Sequence, residues 1–446
     1  MGGNLYRTLW RWHFCAGLLV VPFILMLSLS GAIFLFKPQL DSWEERAWRD
    51  LPQQVEVAPS RQRAAALSAY PGAIVHSYRL PERAGDAAMI HLMLADGAMT
   101  DVFVGPNGKM LGELAPDTRI SAVVQHLHGQ LLAGRAGAWL VEAAGSWAFV
   151  LVVTGLFLWW PRGRGLAGVP WPRLGAGMRV AWRDLHAVTG FWVSGLALVL
   201  LVTALPWTGV WGAAFKAVRE QAGWVKGPQD WPTGGKPAAG TDGGKDQHAA
   251  HDPRAMAGMD HAMPGMDRGP APDDRVFDTV VARARSEHLA FPVLVVPPGP
   301  RSPDWVVRSE AQNRPLRQTL RYAAGTGQPL MREAFADKHP IDRAVGYGVA
   351  WHEGQLLGWP NQLVGLVTAL MMGTLAVTGF VQWRRHMPAD GRGVPPAPSG
   401  KSRVVIAVLV IAGLFLPMLG ISLMTMIAGK FLLRRISQIT ARCTDR

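Results

Sequence analysis

Four stretches of the chain stay apolar for long enough to cross a bilayer as a helix, which takes roughly 20 residues. They are Phe14 to Phe36, Trp139 to Trp160, Val188 to Val210 and Leu363 to Trp383. A fifth, Val404 to Leu433, is long but interrupted by Pro417 and Gly420. Between the first two spans the pattern changes. Ala73-Ile74-Val75-His76-Ser77-Tyr78-Arg79 and Met89-Ile90-His91-Leu92-Met93-Leu94 alternate as half-buried strands do. Asp101-Val102-Phe103-Val104 then meets the turn Gly105-Pro106-Asn107-Gly108, and Lys109-Met110-Leu111 follows. A short helix, Ser60 to Tyr70, stands in front. Between the third and fourth spans the same order returns: a helix from Asp274 to Glu287, strands at Phe291 to Val296, Asp304 to Arg308 and Thr319 to Tyr322, and the turn Gly325-Thr326-Gly327.

The recurrence is sharpest around two histidines. His128-Gly-Gln-Leu-Leu-Ala-Gly134 leads to Val153-Thr154-Gly155-Leu156-Phe157-Leu158-Trp159-Trp160, and His352-Glu-Gly-Gln-Leu-Leu-Gly358 leads to Val377-Thr378-Gly379-Phe380-Val381-Gln382-Trp383 without a gap in the alignment. A shorter match pairs His13-Phe-Cys-Ala-Gly17 with His186-Ala-Val-Thr-Gly190. The fold expected is therefore a mainly α membrane protein. It is built as a parallel internal repeat of transmembrane helix, small outer α+β module and transmembrane helix, with a C-terminal hydrophobic segment added. Its parts are a first span at 12–36, a module at 37–120, a histidine segment and second span at 121–160, and an inner loop at 161–185. A third span at 186–212, a loop at 226–272, a second module at 273–345 and a histidine segment with the fourth span at 346–383 follow. An inner loop at 384–403 leads to 404–433, a fifth crossing or a hairpin, with a single crossing favoured because each hairpin arm looks too short to span.

Charge settles orientation rather than partners. The net charge of +13 is concentrated in Arg7, Arg11, the connector with Arg162, Arg164, Arg173, Arg179 and Arg183, and the connector with Arg384, Arg385, Arg392, Lys401 and Arg403. These mark the cytoplasmic side under the positive-inside rule, so the basicity reports topology and not nucleic-acid binding. The first apolar run is longer than a signal peptide's core and is read as an uncleaved anchor. Two cysteines, Cys15 and Cys443, give the outer modules no disulfide framework.

Four histidines at repeated positions are the candidate chemistry. An imidazole at a membrane boundary can be a haem ligand, a proton relay, or a polar group hydrogen-bonded among headgroups. A span is about 35 Å long, so His13 and His128, at opposite ends of neighbouring spans, cannot share one iron. A twofold relation favours His13 with His186 near the cytoplasm and His128 with His352 near the outer face, giving two bis-histidine b-type haems. His126 lies two residues from His128 and so on another helix face, and Ala350 replaces it in the second copy. His386 is an alternative at the inner end. His76, His91, His288 and His339 read as surface or packing residues. The Thr-Gly pairs at 154–155 and 378–379 read as small residues that let helices approach, and Trp159, Trp160 and Trp383 as interfacial anchors. In the 226–272 loop, His248, His251, Met256, Met259, His261, Met263 and Met266 are soft ligands that suit copper; an unselected low-complexity insert would have the same composition.

These motifs together, span, outer module with a Gly-rich turn, His-x-x-Leu/Gln-Leu-Leu-x-Gly and Thr-Gly-x-x-x-Trp, resemble the PepSY-associated transmembrane proteins, a family that includes siderophore-iron reductases. The resemblance covers nearly all of the chain except 226–272. It implies PepSY-like modules in the periplasm, a bacterial inner-membrane location with the N-terminus cytoplasmic, and haem-dependent reduction of ferric iron, with the family's histidines falling on His13, His128, His186 and His352. The copies differ where Gly129 is replaced by Glu353. No Gly-x-Gly-x-x-Gly fingerprint follows a predicted strand, so electrons must come from a quinol, a reduced flavin or another protein. The acceptor expected is a ferric siderophore or another metal chelate. The rival expectations are a copper-handling protein and a non-enzymatic binding protein that regulates a peptidase.

Overall fold

The computed structural model describes residues 2–52, 55–160, 170–225, 273–299, 302–386 and 403–444. Twelve described helices and eight strands follow one another in this order. Helices α1 (Gly2–Phe34), α2 (Lys37–Glu44) and α3 (Pro59–Ala69) precede strands β1 (Ile74–Arg79), β2 (Ala88–Met93), β3 (Met99–Val104) and β4 (Met110–Leu114). Next come α4 (Ile120–Gln130), α5 (Gly134–Trp159), α6 (Met178–Ala204), α7 (Val210–Gln221) and α8 (Asp274–Ser286). Strands β5 (Val293–Val296), β6 (Trp305–Ser309), β7 (Gln318–Tyr322) and β8 (Pro329–Ala334) lead to α9 (Pro340–His352), α10 (Trp359–His386), α11 (Arg403–Phe415) and α12 (Pro417–Thr444). The chain divides into two compact units, Met1–Ile33 with His126–Val218 and Val364–Arg446, and Phe34–Gln125 with Arg219–Leu363.

The first unit holds the helices long and apolar enough to cross a membrane, at Leu5–Phe34, Gly134–Trp159, Met178–Trp207 and Trp359–Arg385. Glu142 interrupts the second of these, and its carboxylate is fully accounted for. It accepts from the Val210 and Trp211 backbone N–H groups, both at 2.9 Å, so a buried acid answers the unpaired donors and positive end of the α7 dipole.

The closing segment is two helices, not one continuous one. Leu416 breaks it, α12 begins at Pro417, where proline's missing N–H costs nothing, and the chain doubles back so that Gly413 and Gly420 meet backbone to backbone. A Cβ at Gly413 would lie 3.2 Å from Gly420 Cα and one at Gly420 3.0 Å from the Gly413 carbonyl oxygen, so a side chain at either would push the two backbones apart. At 13 residues α11 is only about 20 Å long, short of a bilayer core, whereas α12 with 28 residues reaches about 42 Å. Leu416 and Leu419 are buried with Ala16, Val20, Ala144 and Trp147, and the Trp147 indole donates to Ser422 Oγ at 3.0 Å.

In the second unit, the two modules share one antiparallel sheet in the order β4-β3-β2-β1-β5-β6-β7-β8. They join where Tyr78 faces Val295 and Arg79 faces Leu294. One core follows from that junction: Tyr78, Ile90, Val102, Phe277, Val280, Val295, Trp305 and Leu320 pack as a single cluster. Helices α3 and α8 cover it. Asp278 of α8 accepts from the Ser60 backbone N–H at 2.8 Å and its hydroxyl at 2.7 Å, capping the other helix. Strand β8 escaped the sequence pattern because it is largely exposed, starts with proline and lies at the sheet edge, where no alternation is required.

A charged knot ties the chain leaving α1 to this sheet. Buried Glu45 receives Arg79 at 2.7 and 2.9 Å and also Arg119, which precedes α4. Burial opposes the charged carboxylate, but Arg79 and then Arg119 outweigh it and hold Glu45 down to about 2, from 4.5. A depressed carboxylate stabilises the fold above its unfolded value and loses that contribution as pH falls through the folded one. Thermal unfolding of wild type and Glu45→Gln should therefore differ most at neutral pH, by about 3 kcal/mol, with the gap closing between about pH 4.5 and 2. A gap that does not change with pH would refute the ion-pair origin.

Candidate functional site at the histidine pairs

His13 lies on α1 and His186 on α6, each inside a membrane-length helix. Their rings come within 6.5 Å, centroid to centroid, at 85° to one another. Each is held by the next helix in the chain that carries a Thr-Gly pair. His13 Nδ1 is 2.9 Å from Thr154 Oγ1 of α5, and His186 Nδ1 is 3.0 Å from Thr378 Oγ1 of α10. His128, near the end of α4, meets Ser30 Oγ of α1 through Nδ1 at 2.9 Å.

Hydrogen-bond accounting fixes the tautomer. A hydroxyl has one proton. Thr154 Oγ1 lies 2.7 Å from the Val150 carbonyl, Thr378 Oγ1 2.6 Å from that of Thr374, and Ser30 Oγ 2.7 Å from that of Met26. A carbonyl can only accept, so each hydroxyl proton goes to its own helix and the oxygen must accept from the imidazole. All three rings thus carry their proton on Nδ1 and keep the unshared pair on Nε2, the state a metal ligand needs, with the ring oriented by an outer partner.

The glycine after each hydroxyl makes room for the ring edge. A Cβ at Gly155 would lie 3.1 Å from His13 Cε1, one at Gly31 3.1 Å from His128 Cε1, and one at Gly379 3.4 Å from His186 Cε1. Four residues after each inner histidine, Gly17 faces Leu151 and Gly190 faces Leu375, so α1 approaches α5 as α6 approaches α10. The Thr-Gly pairs thus do more than bring helices together: threonine is the acceptor and glycine the seat for each imidazole. The sequence carried that signal in the repeated dipeptide, and carried it again, unnoticed, in Ser30-Gly31.

The other candidates separate from this arrangement. Among the described residues no side chain hydrogen-bonds to the His126 ring, although it lies near His128 on α4. His352 ends α9 in the second unit, and Glu353, the residue that differs between the copies, is the C-terminal cap of that helix and faces buried Arg314 at 3.8 Å. His386 closes α10. His91 is buried and bonded to Asp101, with His76 beside it, and His339 caps α9 by accepting from Ile341 N–H at 3.3 Å; both serve the fold. The copper candidates His248, His251, Met256, Met259, His261, Met263 and Met266 lie outside the described residues. Among the described residues no three or more His, Cys, Asp or Glu side chains are grouped to hold a bare metal ion.

Residues 10–386 match the family model described as PepSY-associated TM region. The chain belongs to that family. The match takes in all four PepSY-associated spans and both halves of the sheet, and stops before the α11–α12 hairpin. A comparison with curated proteins finds no match.

The tautomer assignment can be checked directly. In the protein without added cofactor, 15N NMR of labelled histidines should show His13, His128 and His186 as Nδ1–H. Thr154→Val should turn His13 into a tautomer mixture and cost about 1–3 kcal/mol of thermal stability for the lost acceptor. An Nε2–H signal for His13 in the wild type would overturn the accounting.

Proposed function

We propose that this protein carries electrons across a bacterial inner membrane through two b-type haems, delivering them to a ferric siderophore or a similar metal chelate in the periplasm. The carrying observation is the inner pair, two imidazoles at 6.5 Å with Nδ1 of each tied outward to a threonine. Two metal–nitrogen bonds of about 2 Å each, with half a ring on either side, come to roughly 6 Å. A haem would need only two ligands from the protein, so His13 and His186 would be a sufficient donor set. The glycine seats fit the same group, since each frees a ring edge that a methyl group would displace. A second haem near the outer end takes His128, whose sequence counterpart is His352.

Bound there, a haem supplies a one-electron couple whose potential follows its axial ligands and burial. The chain's own residues set those terms. Thr154 and Thr378 accept the Nδ1 protons, raise ligand basicity and favour the oxidised iron. The parallel between the α1–α5 and α6–α10 contacts supports reading the chain as a twofold repeat. Arg7, Arg11, Arg173, Arg179, Arg183, Arg384 and Arg385 fall at the same end of the four spans, which supports a cytoplasmic N-terminus with 37–120 and 273–345 in the periplasm. The electron donor is a quinol, a reduced flavin or a reductase.

Protein purified from haem-replete cells should contain about two haems per chain with a reducible Soret band. His13→Ala with His186→Ala should remove one of the two, and Thr154→Val should keep both while raising the midpoint potential of one, by about 60 mV for each tenfold shift in relative affinity. A colourless wild-type preparation would sink the proposal.

A further inference from the structure

We propose that Trp182 and Arg385 form the carboxylate-binding end of the inner site, a clamp for a porphyrin propionate; this rests on the haem reading above. Two independent observations meet here. The Trp182 indole N–H is buried and has no hydrogen-bond partner among the described residues, and a buried donor left unanswered is unfavourable unless a ligand answers it. The Arg385 guanidinium lies over the same indole, 5.7 Å from its centroid, and among the described residues it has no carboxylate partner. The nearest acid in sequence to Trp182 is taken: Asp184 is clamped by Arg173 at 2.7 Å and Arg183 at 2.8 Å.

The placement relative to the histidines is what selects the ligand. Trp182 precedes His186 by one helical turn on the same face of α6. Arg385 follows Thr378, the residue holding His186, by two turns of α10. Because Trp182 meets Arg385 as His186 meets Thr378, both lie displaced from the ligand pair towards the basic end of the spans, by roughly 6 Å along α6 and 10 Å along α10. That is the separation over which propionate arms extend from a porphyrin's iron. An indole N–H and a guanidinium held side by side can both donate to one carboxylate, and charge-assisted bonds of this kind are the strong ones.

The test uses full-length protein purified from haem-deficient cells, with His128→Ala to leave only the inner pair, in a neutral detergent. It is titrated with haemin and with haemin dimethyl ester and followed by Soret absorbance. Haemin should bind at least about tenfold tighter than the ester. Adding Trp182→Phe and Arg385→Gln should abolish that preference while leaving ester affinity unchanged, which also shows that the double variant is folded. Equal binding of acid and ester by the unclamped and clamped proteins alike overturns the clamp but leaves the haem reading standing. No Soret shift with either porphyrin removes both. If phosphatidylglycerol erases the preference of the Trp182- and Arg385-containing protein, the pair is a lipid-headgroup site and the clamp is wrong.

Discussion

An imidazole inside a bilayer must have its ring N–H answered by protein, because hydrocarbon offers no acceptor. Here the answer is a hydroxyl on another helix whose own proton is already committed to the carbonyl one turn back. That double use leaves no freedom. The ring cannot take the other tautomer without losing its bond, and cannot rotate without leaving the glycine seat. Helix packing, tautomer and ring orientation are therefore one constraint, made at His13, His186 and His128 by a hydroxyl residue followed by glycine. The proposed electron path depends on it, since a ligand is useful only if its unshared pair is held in place before the cofactor arrives.

The second unit is organised by a different constraint. Strands β1 and β5 pair, so two modules that look independent in sequence have one hydrophobic core and must fold together. Its polar interior is equally committed: Glu45 has Arg79 and Arg119, and buried Arg219 has Asp342 at 2.7 Å. Buried ion pairs are weak sources of stability, yet losing one partner is expensive. Glu45 follows α2 and Arg119 precedes α4, so their meeting holds both connectors against the sheet of the second unit.

The α11–α12 hairpin lies beyond the matched family region. Leu416 and Leu419 at its turn and the bond from Trp147 to Ser422 attach it to the α5 side of the first unit. A proline and two glycines are visible in sequence as breakers, but breakers alone fit a kink as well as a reversal. Which one forms depends on whether the two backbones can touch, and that is a packing question.

The spans and most of the strands were legible in the chain itself, and a gapless sequence match pointed to the histidines, because membrane length, alternation and recurrence are local or periodic properties of residues. The capping role of Glu353, the edge strand β8 and the shared sheet were not: a cap shows only once its helix ends there, edge strands need no pattern, and pairing between β1 and β5 joins residues more than two hundred positions apart. Nor could the sequence say why threonine and glycine accompany the histidines, since that meaning exists only once α5 lies against α1 and α10 against α6. Sequence chose the imidazoles; tertiary packing decided which nitrogen of each holds the proton, because only a neighbouring helix can supply the acceptor.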